Sequence, residues 1–217
     1  MALALQPQNA LLNDISPHLI NFYRWLQVGL QPQLNIKHAE KDYYQCRDRF
    51  NTLIAEGEAH SQEAAELFYY LNKTGYNGLC RFNQSGKFNV PFGRHKQINY
   101  RRDFLAYQSV LERWEFTCGD FEDISLDESD FIYADPPYDV EFRQYSRKGF
   151  DWEDQVRLVT WLAAHPGPVV LSNQATPRIV QLYDEAGFEL QFLSGPRRIS
   201  CNGDRTPARE VLATKSV

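Results

Sequence analysis

The sequence predicts an α/β fold with a largely parallel sheet, interrupted by an irregular insert. Short apolar runs alternate with helical patterns through the second half of the chain, as they do when strands and crossover helices build one sheet. One of those runs, Phe131-Ile132-Tyr133-Ala134, leads directly into Asp135-Pro136-Pro137-Tyr138. Between about residues 40 and 105 the alternation is replaced by helices followed by glycine, asparagine and aromatic residues.

Asn9–Asp14 reads as a short buried strand ending in a polar pair. Ser16-Pro17 then supplies an N-cap with proline at the first helical position, opening a helix to about Gln27. Leu19, Ile20, Tyr23 and Leu26 recur on it at helical spacing. Lys37–Glu56 and Ser61–Lys73 read as helices, the second with a stripe at Leu67, Phe68 and Leu71. Thr74–Arg102 reads as loops or short hairpins. Phe116–Cys118 and Phe131–Ala134 are strand candidates. A helix over Asp151–Ala164, capped by Asp151, is followed by a strand over Val169–Ser172. The next helix, Thr176–Ala186, stops at Gly187, and Phe188–Leu193 and Glu210–Ala213 read as closing strands.

With 217 residues, 43% of them hydrophobic and 24% charged, the chain can bury a sizeable core, and a disordered chain is excluded. Its longest apolar runs, such as Pro168–Leu171, are too short to span a bilayer, and no secretory leader is expected. Cys46, Cys80, Cys118 and Cys201 form no C-x-x-C pair. Reduced thiols in a cytoplasmic protein without metal are therefore expected.

In open α/β sheets ligands bind beyond the carboxyl ends of strands, which is where Asp135–Tyr138 falls. Pro136 and Pro137 lack backbone donors, so the loop offers only acceptors there. The Asp135 carboxylate and the Pro136 carbonyl make an acceptor pair, and Tyr138 adds an aromatic face. Such a pocket suits a planar group carrying an exocyclic amine. Accepting both N–H bonds favours a pyramidal nitrogen and exposes its lone pair to a methyl donor. The bond to Asp135 strengthens as positive charge develops. A base taken from duplex DNA would have to be flipped, with Tyr138 against its face. The competing reading is a stiff turn in which Asp135 merely ends a strand.

Four segments make the chain resemble the Dam-type DNA adenine-N6 methyltransferases: Leu11–Tyr23, Phe68–Lys96, Asp130–Tyr138 and Val169–Asn173. The resemblance implies a Rossmann-like methyltransferase sheet with helices on both faces. It divides the chain into an N-terminal part (1–39), a mainly helical and looped DNA-recognition insert (40–105) and a C-terminal part (106–217). It implies methyl transfer from S-adenosylmethionine to N6 of a flipped adenine in duplex DNA, with GATC as a family-level site and no metal. By motif position, Asp14, Ile15 and Asp135 would bind the cofactor, Asp14 through the ribose hydroxyls. Asp135, Pro136, Pro137 and Tyr138 would be catalytic. Tyr76, Asn77, Leu79, Arg81, Asn89, Pro91, Arg94 and Lys96 would face DNA. Arginine can bond guanine bidentately, and Leu79 or Tyr76 could intercalate or stack. For Asp14 the alternative is a helix cap. For the insert residues it is a solvated arginine or a core aromatic.

The charge distribution agrees with a nucleic-acid partner. The formal net charge is −5, yet Leu71–Arg102 holds no acidic residue and seven basic ones: Lys73, Arg81, Lys87, Arg94, Lys96, Arg101 and Arg102. Without them 16 basic residues face 28 acidic ones, so a basic insert sits on an acidic body. A second cluster, Arg197, Arg198, Arg205 and Arg209, reads equally as phosphate contacts or as a solvated face.

The family's cofactor loop, F-x-G-x-G, should precede the position of Asp14, but the first glycine here is Gly29. Met1–Leu5 instead resembles the helix that follows that loop. The expectation is a cofactor pocket incomplete as written. The alternatives are then an inactive homologue acting only as a DNA-binding module, or an amino methyltransferase acting on cytosine N4 or RNA.

Overall fold

Apolar side chains gather into two separate cores, one before and one after residue 120. The computed structural model describes residues 2–32, 38–96, 98, 100–139, 149–195 and 208–217. They divide into two compact units, Met1–Asp120 and Phe121–Val217.

The first unit contains α1 (Ala2–Leu5), β1 (Ala10–Asp14), α2 (Pro17–Gln27), α3 (Glu40–Ala55), α4 (Gln62–Thr74), α5 (Leu105–Leu111) and β2 (Trp114–Cys118). Ser16 caps α2 by accepting from the Leu19 amide, and Ser61 caps α4 by accepting from Ala64. Both relieve backbone donors that a helix start leaves unpaired. The expected start of α3 at Lys37 lies outside the described residues. Strands β1 and β2 pair in parallel, Ala10 opposite Trp114 and Asp14 opposite Cys118.

The stripe expected on α4 is far wider than three residues. Every residue from Ala64 to Leu71 is buried, so α4 is wrapped on all sides. Tyr43 and Phe50 of α3 share one core with Ile20, Phe22 and Leu26 of α2. Helix α5, not expected from the sequence, buries only Val110 and Leu111 and has no side-chain cap.

The stretch after α4 is irregular yet well bonded. Tyr76–Gly78 forms a 3-10 turn, and bridges join Gly75 to Phe92 and Phe82 to Phe88. Asn83 Oδ1 accepts from the amides of Ser85 and Lys87, both at 3.0 Å, closing a hairpin over residues 81–89. Gly93 is required by close approach, because a Cβ there would lie 2.6 Å from the Gly75 carbonyl oxygen.

The second unit contains β3 (Ile132–Ala134), α6 (Trp152–Ala164), β4 (Val169–Gln174), α7 (Pro177–Glu185), β5 (Glu189–Gly195) and β6 (Ala208–Lys215). Asp151 and Asp154 form a capping box at the start of α6. The sheet order is β3-β4-β6-β5. β3 and β4 are parallel, but β6 runs antiparallel to both β4 and β5. The expectation of a largely parallel sheet is therefore corrected to a mixed one. A crossover helix, α6, separates the parallel pair, whereas no helical pattern separates β5 from β6. Phe131 lies outside β3 and is 52% exposed, and β2 starts two residues earlier than expected.

Leu158, Val159 and Leu162 of α6, Val169 and Leu171 of β4, and Ile179 and Tyr183 of α7 fill this core. Among the described residues no helix is long and apolar enough to cross a membrane.

Candidate functional site

Strand β3 ends at Ala134, and the next residue, Asp135, is exposed while Pro136 is buried. The parallel register sets Ala134 opposite Leu171, so Ser172 of β4 comes beside Asp135. The Ser172 hydroxyl donates to Asp135 Oδ1 at 2.7 Å. Tyr138 is half-buried, and burial holds its hydroxyl above the ordinary tyrosine value. The nearby Ser172 hydroxyl works against that rise, while Asp135, Glu210 and Tyr133 add to it.

The two proline carbonyls differ. Gln155 Nε2 donates to the Pro137 carbonyl at 2.8 Å, whereas no described residue donates to the Pro136 carbonyl. Of the two proline carbonyls, only that of Pro136, the one expected to pair with the Asp135 carboxylate, is without a donor among the described residues.

Asp139, the residue after Tyr138, is held by side chains with little or no signal in the sequence. Asp139 is buried, and its carboxylate accepts from Thr176 Oγ1 and from Arg178 Nε, both at 2.7 Å. A second guanidinium nitrogen of Arg178 pairs with Asp139 Oδ1. The Asp139 amide donates to Asn173 Oδ1 at 2.8 Å. Asn173 Nδ2 in turn donates to Gln155 Oε1 and the Tyr183 hydroxyl, at 3.1 and 3.0 Å. Ser172 and Asn173 belong to the Val169–Asn173 segment quoted above, which was their one sequence signal. Gln155 and Arg178 had none.

Asp14 and Ile15 lie at the carboxyl end of β1, in the first unit. Asp14 Oδ1 accepts from the Ser16 amide at 2.7 Å, so Asp14 braces the turn into α2 while Ser16 is the cap itself. Tyr23 sits close by, its hydroxyl raised above its usual value by burial and by the Asp14 charge. Ile15 is 73% exposed.

The remaining predicted residues lie between α4 and α5. Arg81 Nε donates to Asn89 Oδ1 at 2.8 Å across the hairpin. The Tyr76 amide donates to the Pro91 carbonyl at 2.9 Å, and the Tyr76 ring is 41% exposed. Asn77 adopts a left-handed conformation (φ 51°), which asparagine tolerates better than most residues. Leu79 is half-buried and packs against the core. Arg94 is 85% exposed with Glu40 at 3.9 Å, and Lys96 is exposed. Arg197, Arg198 and Arg205 lie outside the described residues. Among those described, no cluster of three His, Cys, Asp or Glu could hold a metal ion.

Residues 1–193 match the family model described as D12 class N6 adenine-specific DNA methyltransferase. The chain is 35% identical to the DNA N-6-adenine-methyltransferase of Escherichia phage P1, over 94% of this chain and 29% of that protein. It is 32% identical to the Retron Ec67 DNA adenine methylase of Escherichia coli, over 94% of this chain and 74% of that one. To the DNA adenine methylase of Vibrio cholerae it is 34% identical, over 94% of this chain and 78% of that one.

Proposed function

The chain belongs to the D12 class of N6 adenine-specific DNA methyltransferases, and from that premise we propose that Asp135, Pro136 and Tyr138 receive a flipped adenine. The observation that carries this reading is the acceptor pair beyond β3. Asp135 has one oxygen tied to Ser172, while its second oxygen and the Pro136 carbonyl have no donor among the described residues. Each N–H of the adenine amine needs one acceptor, and these two match that demand. They draw electron density toward N6 and stabilise the positive charge that grows there. Pro137 serves as frame, its carbonyl held by Gln155. Tyr138, half-buried, offers its ring to the face of the base.

The family requires a methyl donor, and S-adenosylmethionine is the donor proposed here. When bound it would supply an electrophilic sulfonium methyl group to the N6 nitrogen. The residues present suit such a molecule. Asp14 has one carboxylate oxygen committed to Ser16 and a second with no donor among the described residues, which fits ribose hydroxyls. Exposed Ile15 beside it offers an apolar surface to a ring.

The hairpin and its flanks supply the DNA contacts. Arg81, steadied by Asn89, takes a base edge or phosphate. Arg94 and Lys96 take phosphates, and Tyr76, Asn77, Leu79 and Pro91 approach the opened base pair. Residues 40–105 then act as the recognition segment, between methyltransferase parts 1–39 and 106–217. The setting is the cytoplasm of a prokaryotic or phage-infected cell, and duplexes with GATC sites are the first substrates to test.

The test uses labelled S-adenosylmethionine, duplex DNA and mass spectrometry of the nucleosides. N6-methyladenine formed by the parent protein supports the reading. Label on an adenine-free duplex, or no transfer to any duplex, overturns it.

A further inference from the structure

Ser172 and Asn173 are consecutive on β4, so their side chains leave opposite faces of the sheet. From those two faces they hold opposite ends of one loop. Ser172 donates to Asp135 Oδ1 at 2.7 Å, and Asn173 accepts from the Asp139 amide at 2.8 Å. Both are buried, Asn173 completely. The Asn173 amide is saturated: it also accepts from the Gln174 amide and donates to Gln155 and Tyr183. Gln155 extends the grip to the Pro137 carbonyl.

We infer that Ser172 is a positioning residue, whose hydroxyl holds one oxygen of Asp135 and thereby presents the other, beside the Pro136 carbonyl, to the target amine. The inference rests on the role proposed above for Asp135.

An exposed carboxylate on a loop otherwise samples several rotamers, and an amine whose two N–H bonds diverge needs its acceptors in one fixed relation. Pro136 already has its φ set by its ring, so the Asp135 side chain is the free variable. Ser172 removes that freedom from a rigid strand. Its single proton goes to Asp135, the shortest of its contacts, while the Tyr133 hydroxyl lies 3.3 Å from its oxygen on another side. A hydrogen bond to a charged group is among the stronger ones a side chain makes.

The experiment compares the full chain with Ser172→Ala and Ser172→Thr, under single turnover on duplex DNA, with thermal melting as the check on folding. Ser172→Ala is expected to lower kcat roughly 10- to 100-fold. KM for DNA and the affinity for S-adenosylmethionine should stay within about twofold, since binding contacts remain. Ser172→Thr, which keeps the hydroxyl, should recover most of the rate. An unchanged kcat, a rise in KM that accounts for the loss, or collapse of the fold overturns the inference. If the parent protein transfers no methyl group, the functional reading fails instead. Crystal structures then decide the positioning claim: an Asp135 carboxylate oriented alike in the parent and in Ser172→Ala overturns it, and a reoriented one supports it.

Discussion

In residues 121–217 the buried polar side chains around the loop are all engaged: Asn173, Gln155, Asp139 and Thr176 bond one another or the backbone. In residues 2–120 several buried polar atoms have no partner among the described residues, including His18 Nδ1, Arg47 Nε and the Tyr100 hydroxyl. The cores differ in the same sense. The second is mostly aliphatic, whereas the first is crowded with rings, such as Phe50 against His18, Phe68, Phe82 and Phe88. An unpartnered buried polar group costs about 1–3 kcal/mol, so the first unit leans on aromatic packing to offset it. The second unit uses saturated hydrogen bonds to hold one short loop in place. A pair of reacting atoms must be placed to within a fraction of an ångström, and directional bonds do that where packing alone does not.

The largest effect that sharpens this contrast should come from Phe50→Ala. Phe50 is completely buried, and removing its ring should cost about 3–5 kcal/mol in urea unfolding. A loss below about 1 kcal/mol would show that the first core collapses easily around the gap and does not depend on its rings.

A smaller change is expected from Arg178→Ala in the second unit. It removes the two guanidinium contacts to the buried Asp139 carboxylate, whose other side-chain donor among the described residues is Thr176. Arg178 is half exposed, so the cost should be roughly 1–2 kcal/mol, below that of breaking a fully buried pair. Hydrogen exchange should quicken at the Asp139 amide while amides of α2 and α4 keep their protection. Equal quickening in both units would break the contrast.

The smallest effect concerns pH. Burial, and to a lesser extent His60, lowers the His18 pKa below the ordinary histidine value of 6.5. The unfolded chain therefore binds a proton that the folded one resists, and stability falls as pH drops below about 6.5. The slope is bounded by one proton, about 1.4 kcal/mol per pH unit. Unfolding of His18→Leu, followed from pH 7 to pH 5, should lose this component. An unchanged slope in that variant would assign the acid sensitivity to other groups.

What was legible in the sequence was local. Ser16-Pro17 and Asp151 mark helix starts, because capping is decided within one turn of chain. Gly187, at φ 81°, marks the end of α7 for the same reason. The acceptor loop was legible as well, since strand, aspartate and prolines are contiguous. Family membership was also readable, from four motif segments spread between Leu11 and Asn173. Helix α5 was not legible, because seven residues with two buried side chains give too little periodicity. The breadth of burial on α4 was hidden too, since a tyrosine or an alanine is compatible with either face until neighbours are placed.

By itself, then, the sequence determined the helix starts, the basic stretch and the run of acceptors after β3, all of which depend on residues adjacent in the chain. Only the tertiary structure decided that β6 lies antiparallel between β4 and β5, and that Gln155 donates to the Pro137 carbonyl while no described residue donates to that of Pro136. It also decided that Ser172 meets Asp135. That meeting depends on register between β3 and β4, where a slip of one residue would send the serine to the other face of the sheet. Register is set by pairing across distant segments, and no local pattern encodes it.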